Sequence, residues 1–309
     1  MNTFIKYWSY LVENEDKEKS FESYLGEEDI DGNSETVTIG GKNFTVKNGN
    51  INCYDKQLTS LKGAPQQVKG DFKCNWNKLT SLEGAPKKVG EKFNCSDNYL
   101  TSLNGAPQEV GGEFNCHNNK LTSLVGAPKK INGSFHCSYN KLTSLKGAPQ
   151  EVKGDFNCLE NQLSSLIGGP QKVGGSFNYS WNKLTSLEGA PQEVNGDFDC
   201  LENRLSSLEG GPQKVGRNFS CGWNELTSLK GAPQEVKGDF NCNWSKLSSL
   251  EGAPKEIGGD FSCSGNEDLP EYKIKAYEAY LELSDSEKAP LTKDNHYYPT
   301  EEWENKFKK

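Results

Sequence analysis

Apolar residues recur in this chain on a fixed step of 21 residues. Phe72, Phe93, Phe114, Phe135, Phe156, Phe177, Phe198, Phe219, Phe240 and Phe261 form one series, and proline recurs from Pro65 to Pro254 on the same step. The unit repeats without an insertion from Leu58 to about Glu267, so ten turns fit. A period of this size marks a solenoid, in which one short unit cannot bury its own apolar face and stacks on its neighbours. Within a unit, Val68, Gly70, Phe72 and Cys74 alternate with Lys69, Asp71 and Lys73. That two-residue period predicts a strand with one buried face over about Val68 to Asn75. Leu79 and Leu82, three apart, suit a tight turn and are too short a pattern for a helix. Gly63-Ala64-Pro65 closes the unit, because glycine permits unusual φ while proline fixes φ and lacks an N–H. The expected fold is a parallel β-solenoid of ten turns, each giving one strand to a sheet on the order of 50 Å long at about 4.8 Å per turn.

The stretch Phe93-x-Cys95-x-x-Asn98-x-Leu100, followed by Leu103, resembles the core motif of the leucine-rich repeat family over roughly two-thirds of the chain. The short, helix-poor turns are most similar to repeats of bacterial effectors and of bacteriophage proteins. The resemblance implies a curved solenoid whose positions after the strand lie on the concave side. Phe and Cys stand in place of the family's leucines, Val-x-Gly-x-Phe extends the strand upstream, and Lys56 and Ser245 replace the Asn. Related effectors often carry a C-terminal ubiquitin-ligase domain with a catalytic cysteine. This chain has no cysteine after Cys263, so that activity is not carried over.

The flanks read as caps. Residues 1–57 comprise a helix with Phe4, Trp8, Leu11 and Val12 on one face, an acidic connection, a hairpin around Gly40-Gly41 and an atypical first rung in which Ile51 takes the Phe position. The solenoid proper covers 58–267. Residues 268–309 predict a helix from about Glu271 with Leu269, Tyr272, Ala276, Tyr280 and Leu283 on one face, then a second helix N-capped by Thr300 and carrying Trp303 and Phe307.

Composition then narrows the chemistry. A net charge of −8 with scattered basic residues argues against a nucleic-acid partner. The first 17 residues lack the features of a signal peptide, and no segment is long enough to cross a membrane. Ten cysteines from Cys53 to Cys263 share one register, with Tyr179 replacing one of them. Parallel stacking holds their Cβ atoms too far apart for good disulfide geometry, and zinc spacing is absent, so they read as small buried groups in a reducing, cytoplasmic compartment. The Asn series from Asn77 reads as amides satisfying backbone groups where the chain leaves the sheet. His117, His136 and His296 fall in no nucleophile or metal motif, so no cofactor and no catalysis are expected.

Binding remains. The two positions after each Cys (or Tyr179) vary between turns, from Asn75-Trp76 to Ser264-Gly265, and are expected to face solvent beside the sheet. Trp76, Tyr139, Glu160, Trp181, Glu202, Trp223 and Trp244 in that series are the candidate partner-binding residues, with the C-terminal half favoured because Trp223 and Trp244 occupy adjacent turns. The block Leu142–Asn182 closely resembles Leu184–Asn224, so part of the alternation reflects duplication. The expected function is a protein-binding scaffold, with a host protein bound by a phage-encoded inhibitor or effector as what the resemblance implies. Glycan recognition is the alternative, since exposed Trp beside Asn, Asp and Glu also suits sugars. A structural spacer without a ligand is the third reading.

Overall fold

The computed structural model describes residues 35–288, 292–293 and 296–308, so the expected helix within residues 1–17 lies outside the described residues. Strand β1 (Glu35–Ile39) and strand β2 (Lys42–Lys47) form the expected hairpin, with Gly40 and Gly41 at φ 57° and 79° in its turn. Two positive φ values in succession give a turn whose twist matches that of the flanking strands. Asn48 and Gly49 repeat the device and lead to β3 (Asn50–Asn52), which pairs antiparallel with β2 and parallel with the first Phe strand through Ile51 and Phe72. The hairpin thereby covers the free edge of the first rung, whose unpaired backbone groups would otherwise invite association.

From Phe72 onward the chain is a parallel β-solenoid. Each Phe pairs in register with the Phe one turn on, as in Phe93 with Phe114 and Phe240 with Phe261, giving a sheet of 13 strands with the hairpin included. Rings from Phe72 to Phe261 stack with centroids 5.2–6.0 Å apart. The Leu, Val, Cys and Phe series line one continuous buried core, and all ten cysteines are unpaired and buried. Burial pushes the Cys53 thiol up to about 12 and Cys263 to about 11, and raises the others as well. Tyr179 keeps the register by turning its ring edge-on between Phe177 and Phe198, 5.0 Å from each.

One expectation is corrected. The continuous strand from Val68 to Asn75 is two strands, Gln67–Val68 and Phe72–Lys73, separated by a bend, so each turn serves two sheets. The Val strands form a ladder of four, ending at Lys130–Ile131, and another of six, starting at Glu151–Val152. The bend brings successive turns too close for a side chain at its corner: a Cβ on Gly133 would lie 2.7 Å from the carbonyl carbon of Gly112. Where Glu91 and Arg217 occupy the corner, the preceding residue is glycine, and a Cβ on Gly90 would lie 1.9 Å from the Lys69 carbonyl oxygen.

Among the described residues, helices occur only beyond the solenoid: α1 (Glu271–Leu281), α2 (Asp285–Lys288) and α3 (Glu301–Glu304). The buried face of α1 is Ala276, Tyr277 and Tyr280, whereas Tyr272 and Leu283 of the expected face are only partly buried. Tyr277 sets the helix in place. Its ring meets Phe261 edge-on at 4.8 Å, and its hydroxyl donates to the Pro254 carbonyl at 2.6 Å. Thr300 caps α3 as expected by accepting from the Trp303 N–H, and Trp303 Nε1 donates to the Ala276 carbonyl at 2.8 Å. Thr292–Lys293 pairs antiparallel with His296–Pro299, a pairing unforeseen in the sequence.

Candidate functional site

Beyond each Cys the chain must leave the sheet, and the Asn series makes this possible. Asn98 Oδ1 accepts from the Leu79 N–H in the preceding turn, while its Nδ2 donates to the carbonyls of Cys74, Cys95 and Ser96. Asn119, Asn140, Asn161, Asn182, Asn203 and Asn224 repeat this set. A second polar ladder supports the same exit: Asn94, Asn115, Asn157 and Asn178, each just after a Phe, accept the N–H two residues on. These bonds fix the backbone between the Cys and the Asn in a single shape.

That shape determines which side chains reach solvent. The residue two after each Cys (or Tyr179) has φ between 49° and 57° at Trp76, Asp97, Asn118, Tyr139, Glu160, Trp181, Glu202, Trp223 and Trp244. This left-handed conformation costs a residue with a Cβ roughly 1–2 kcal/mol, with Asn and Asp tolerated best. It also turns the side chain away from the core. The residue one after the Cys is covered more often than expected: Ser96, Ser138, Ser180 and Gly222 are buried and Leu159 and Leu201 partly buried, although Tyr54 and Ser264 are exposed, so the second position is the more outward series.

All seven candidate residues lie in this one column, one per turn. Trp76, Glu160, Trp223 and Trp244 are exposed, whereas Tyr139, Trp181 and Glu202 are partly buried. Backbone bonds link the column turn by turn, for example the Trp181 N–H to the Leu201 carbonyl at 2.9 Å and the Trp223 N–H to the Asn243 carbonyl at 2.9 Å. The indoles of Trp223 and Trp244 stack at 5.2 Å and 17°, remaining 42% and 54% exposed. Trp244 leans over Gly265, the next member of the column, where a Cβ would lie 2.5 Å from the indole. Between Trp181 and Trp223 in sequence along the column stands Glu202, whose carboxyl is raised from its ordinary value by burial.

The N-terminal part of the column holds a groove that the sequence reading did not single out. A cavity of about 370 Å³ is lined by Asp55, Trp76, Asp97 and Asn118 from the column and by Gln57, Lys78, Tyr99 and Lys120 from the position after the Asn series, in which Lys56 precedes Gln57. Asn118 Nδ2 donates to Asp97 Oδ1 at 2.7 Å, His117 Nε2 lies 3.4 Å from Asp97 Oδ2, and Lys120 Nζ sits 4.7 Å from the Tyr99 ring centroid. Variation between turns at the position after Asn, where Tyr99 interrupts a largely basic series, is the signal that would have revealed this second wall. His136 faces Glu113 at 3.9 Å, so each of these two histidines is directed at a carboxylate.

No protein-family model matches the chain, and no curated protein matches it.

Proposed function

We propose that the chain is a non-catalytic binding scaffold whose outward column, from Trp76 to Trp244, takes another protein. The observation that carries this reading is the stacked Trp223–Trp244 pair, held about half exposed on backbone that favours Asn, Asp or Gly. Neither solvation nor local backbone preference accounts for indoles there, and exposed aromatic clusters are typical of interface anchors. The resemblance to leucine-rich repeats of bacterial and phage proteins points to a host protein as partner, in a cytoplasmic setting consistent with ten unpaired thiols.

The groove at Trp76 and Tyr99 favours glycan binding as the second reading, because ring faces beside Asp55, Asp97 and Asn118 can stack on a sugar and accept from its hydroxyls. Changing Trp223 and Trp244 together to Ala tests the first reading. The variant should retain the fold by circular dichroism and lose at least about 2 kcal/mol of affinity for a partner captured by cross-linking from a candidate host lysate. Unchanged affinity, with a loss of thermal stability, would mean that the indoles only seal neighbouring turns and would support a spacer. Binding on a glycan array that is lost with Trp76→Ala would favour the second reading.

A further inference from the structure

We propose that the partner is recognised through cationic side chains, each seated on Glu160 or Glu202 between aromatic residues of the adjacent turns. The inference deepens the protein-binding reading above and rests on it. Six consecutive turns present Tyr139, Glu160, Trp181, Glu202, Trp223 and Trp244 at the same position. Backbone bonds tie these turns together at the column itself, with the Tyr139, Glu160, Trp181 and Glu202 N–H groups donating to the next turn at 2.9–3.2 Å. Each glutamate therefore has an aromatic neighbour about 4.8 Å away along the axis on either side. A carboxylate with aromatic residues in register on the turns either side suits a guanidinium or ammonium group, because aromatic rings attract a cation while the carboxylate neutralises it.

The electrostatics of the column agree with a cationic partner. Among the described residues neither Glu160 nor Glu202 forms an ion pair, although Lys183 and Arg204 occupy the neighbouring series and Lys246 pairs with Glu225 there. Burial without a compensating charge raises the Glu202 carboxyl, a penalty that an incoming cation would relieve. The net charge of −8 favours approach of a basic segment. The two glutamates stand two turns, or about 10 Å, apart. A polyproline II segment repeats its facing side chains every three residues at about 9.3 Å, so the partner chemistry that fits is an extended segment with basic residues three apart.

The test uses the full chain and a capped peptide containing Arg-Pro-Pro-Arg, titrated by calorimetry and tryptophan fluorescence. Saturable binding is expected, weakened by about tenfold or more when both arginines are replaced by citrulline, their neutral isostere. Glu160→Gln and Glu202→Gln should each weaken it several-fold while leaving the fold unchanged. Equal binding of the citrulline peptide, or no saturable binding of the arginine peptide, would overturn the inference. A separate measurement distinguishes it from the broader reading. If the captured partner loses affinity for the Trp223 and Trp244 double variant but not for the Glu160 and Glu202 double variant, the cation inference fails while the binding column stands; if it tolerates both, both fail.

Discussion

At the scale of single residues, the polar ladders show how much one side chain contributes when it is repeated. Each buried Asn amide closes four or more backbone hydrogen bonds, but at position 245 a serine stands in the series, and its hydroxyl accepts, among the described residues, only from the Asn224 N–H at 3.4 Å. Ser245→Asn should therefore stabilise the fold by about 1 kcal/mol, whereas Asn140→Ser should cost about 2–3 kcal/mol, as measured by urea unfolding. Asp199 is the second informative residue. It occupies the position after Phe that Asn157, Asn178 and Asn241 hold elsewhere, and burial, reinforced by Asp197 and opposed by a hydrogen bond from Ser220, raises its carboxyl from 3.8 to about 6. Because the folded value is the higher one, the folded chain holds a proton that the unfolded chain releases. The contribution of Asp199 to stability is therefore greatest below about pH 4, falls as pH rises towards 6 and stays lower above it. Asp199→Asn should raise stability at pH 7 by on the order of 2 kcal/mol and have no such effect near pH 3.5. Equal gains at both pH values would mean that packing, not ionisation, is responsible.

At the scale of elements, Phe strands only two residues long persist because each inner one is paired on both sides and anchored by a buried ring. Phe156 stacks on Phe135 and Phe177 with centroids 5.5 and 5.3 Å away and is fully buried. Phe156→Ala should cost about 3–5 kcal/mol in equilibrium unfolding, the usual price of truncating a large buried side chain. A loss below about 1 kcal/mol would mean that the neighbouring rings close over the gap. The outer face of the Val strands shows a different kind of order: Lys130 lies opposite Glu109, Glu151 opposite Lys172, and Lys214 opposite both Glu193 and Glu235. Opposite charges on neighbouring strands support the register, each by roughly 0.2–1 kcal/mol. This arrangement was present in the sequence as an alternation of Glu and Lys on a 42-residue period, but its meaning depended on recognising the Val segment as a strand of its own. The single long strand predicted from alternation missed the bend, since hydrophobic alternation records which side chains are buried and not whether the backbone between them stays straight.

At the scale of the whole solenoid, contacts run almost entirely between adjacent turns, so the ladder should tolerate the loss of one. Removing Leu100–Lys120, one complete 21-residue unit, should leave a folded protein with lower stability and the Trp223–Trp244 pair intact. Complete loss of structure by circular dichroism would contradict nearest-neighbour stacking. The sequence by itself determined the period, the register, the buried series and the column that carries the candidate residues, because a repeat of constant length can stack only with equivalent residues above one another. It also located the hairpin and the start of α1, whose Gly-Gly turn and apolar spacing act locally. Tertiary structure alone decided that the second residue after each Cys turns outward more than the first, because that depends on hydrogen bonds from the Asn residues of two different turns. It likewise chose Tyr277 as the residue that closes the last rung, and formed the groove at Trp76 and Tyr99 from two series that lie two residues apart within the turn. Spacing along the chain specifies which residues share a series, but the depth and walls of a site come from the bend of the backbone between neighbouring series.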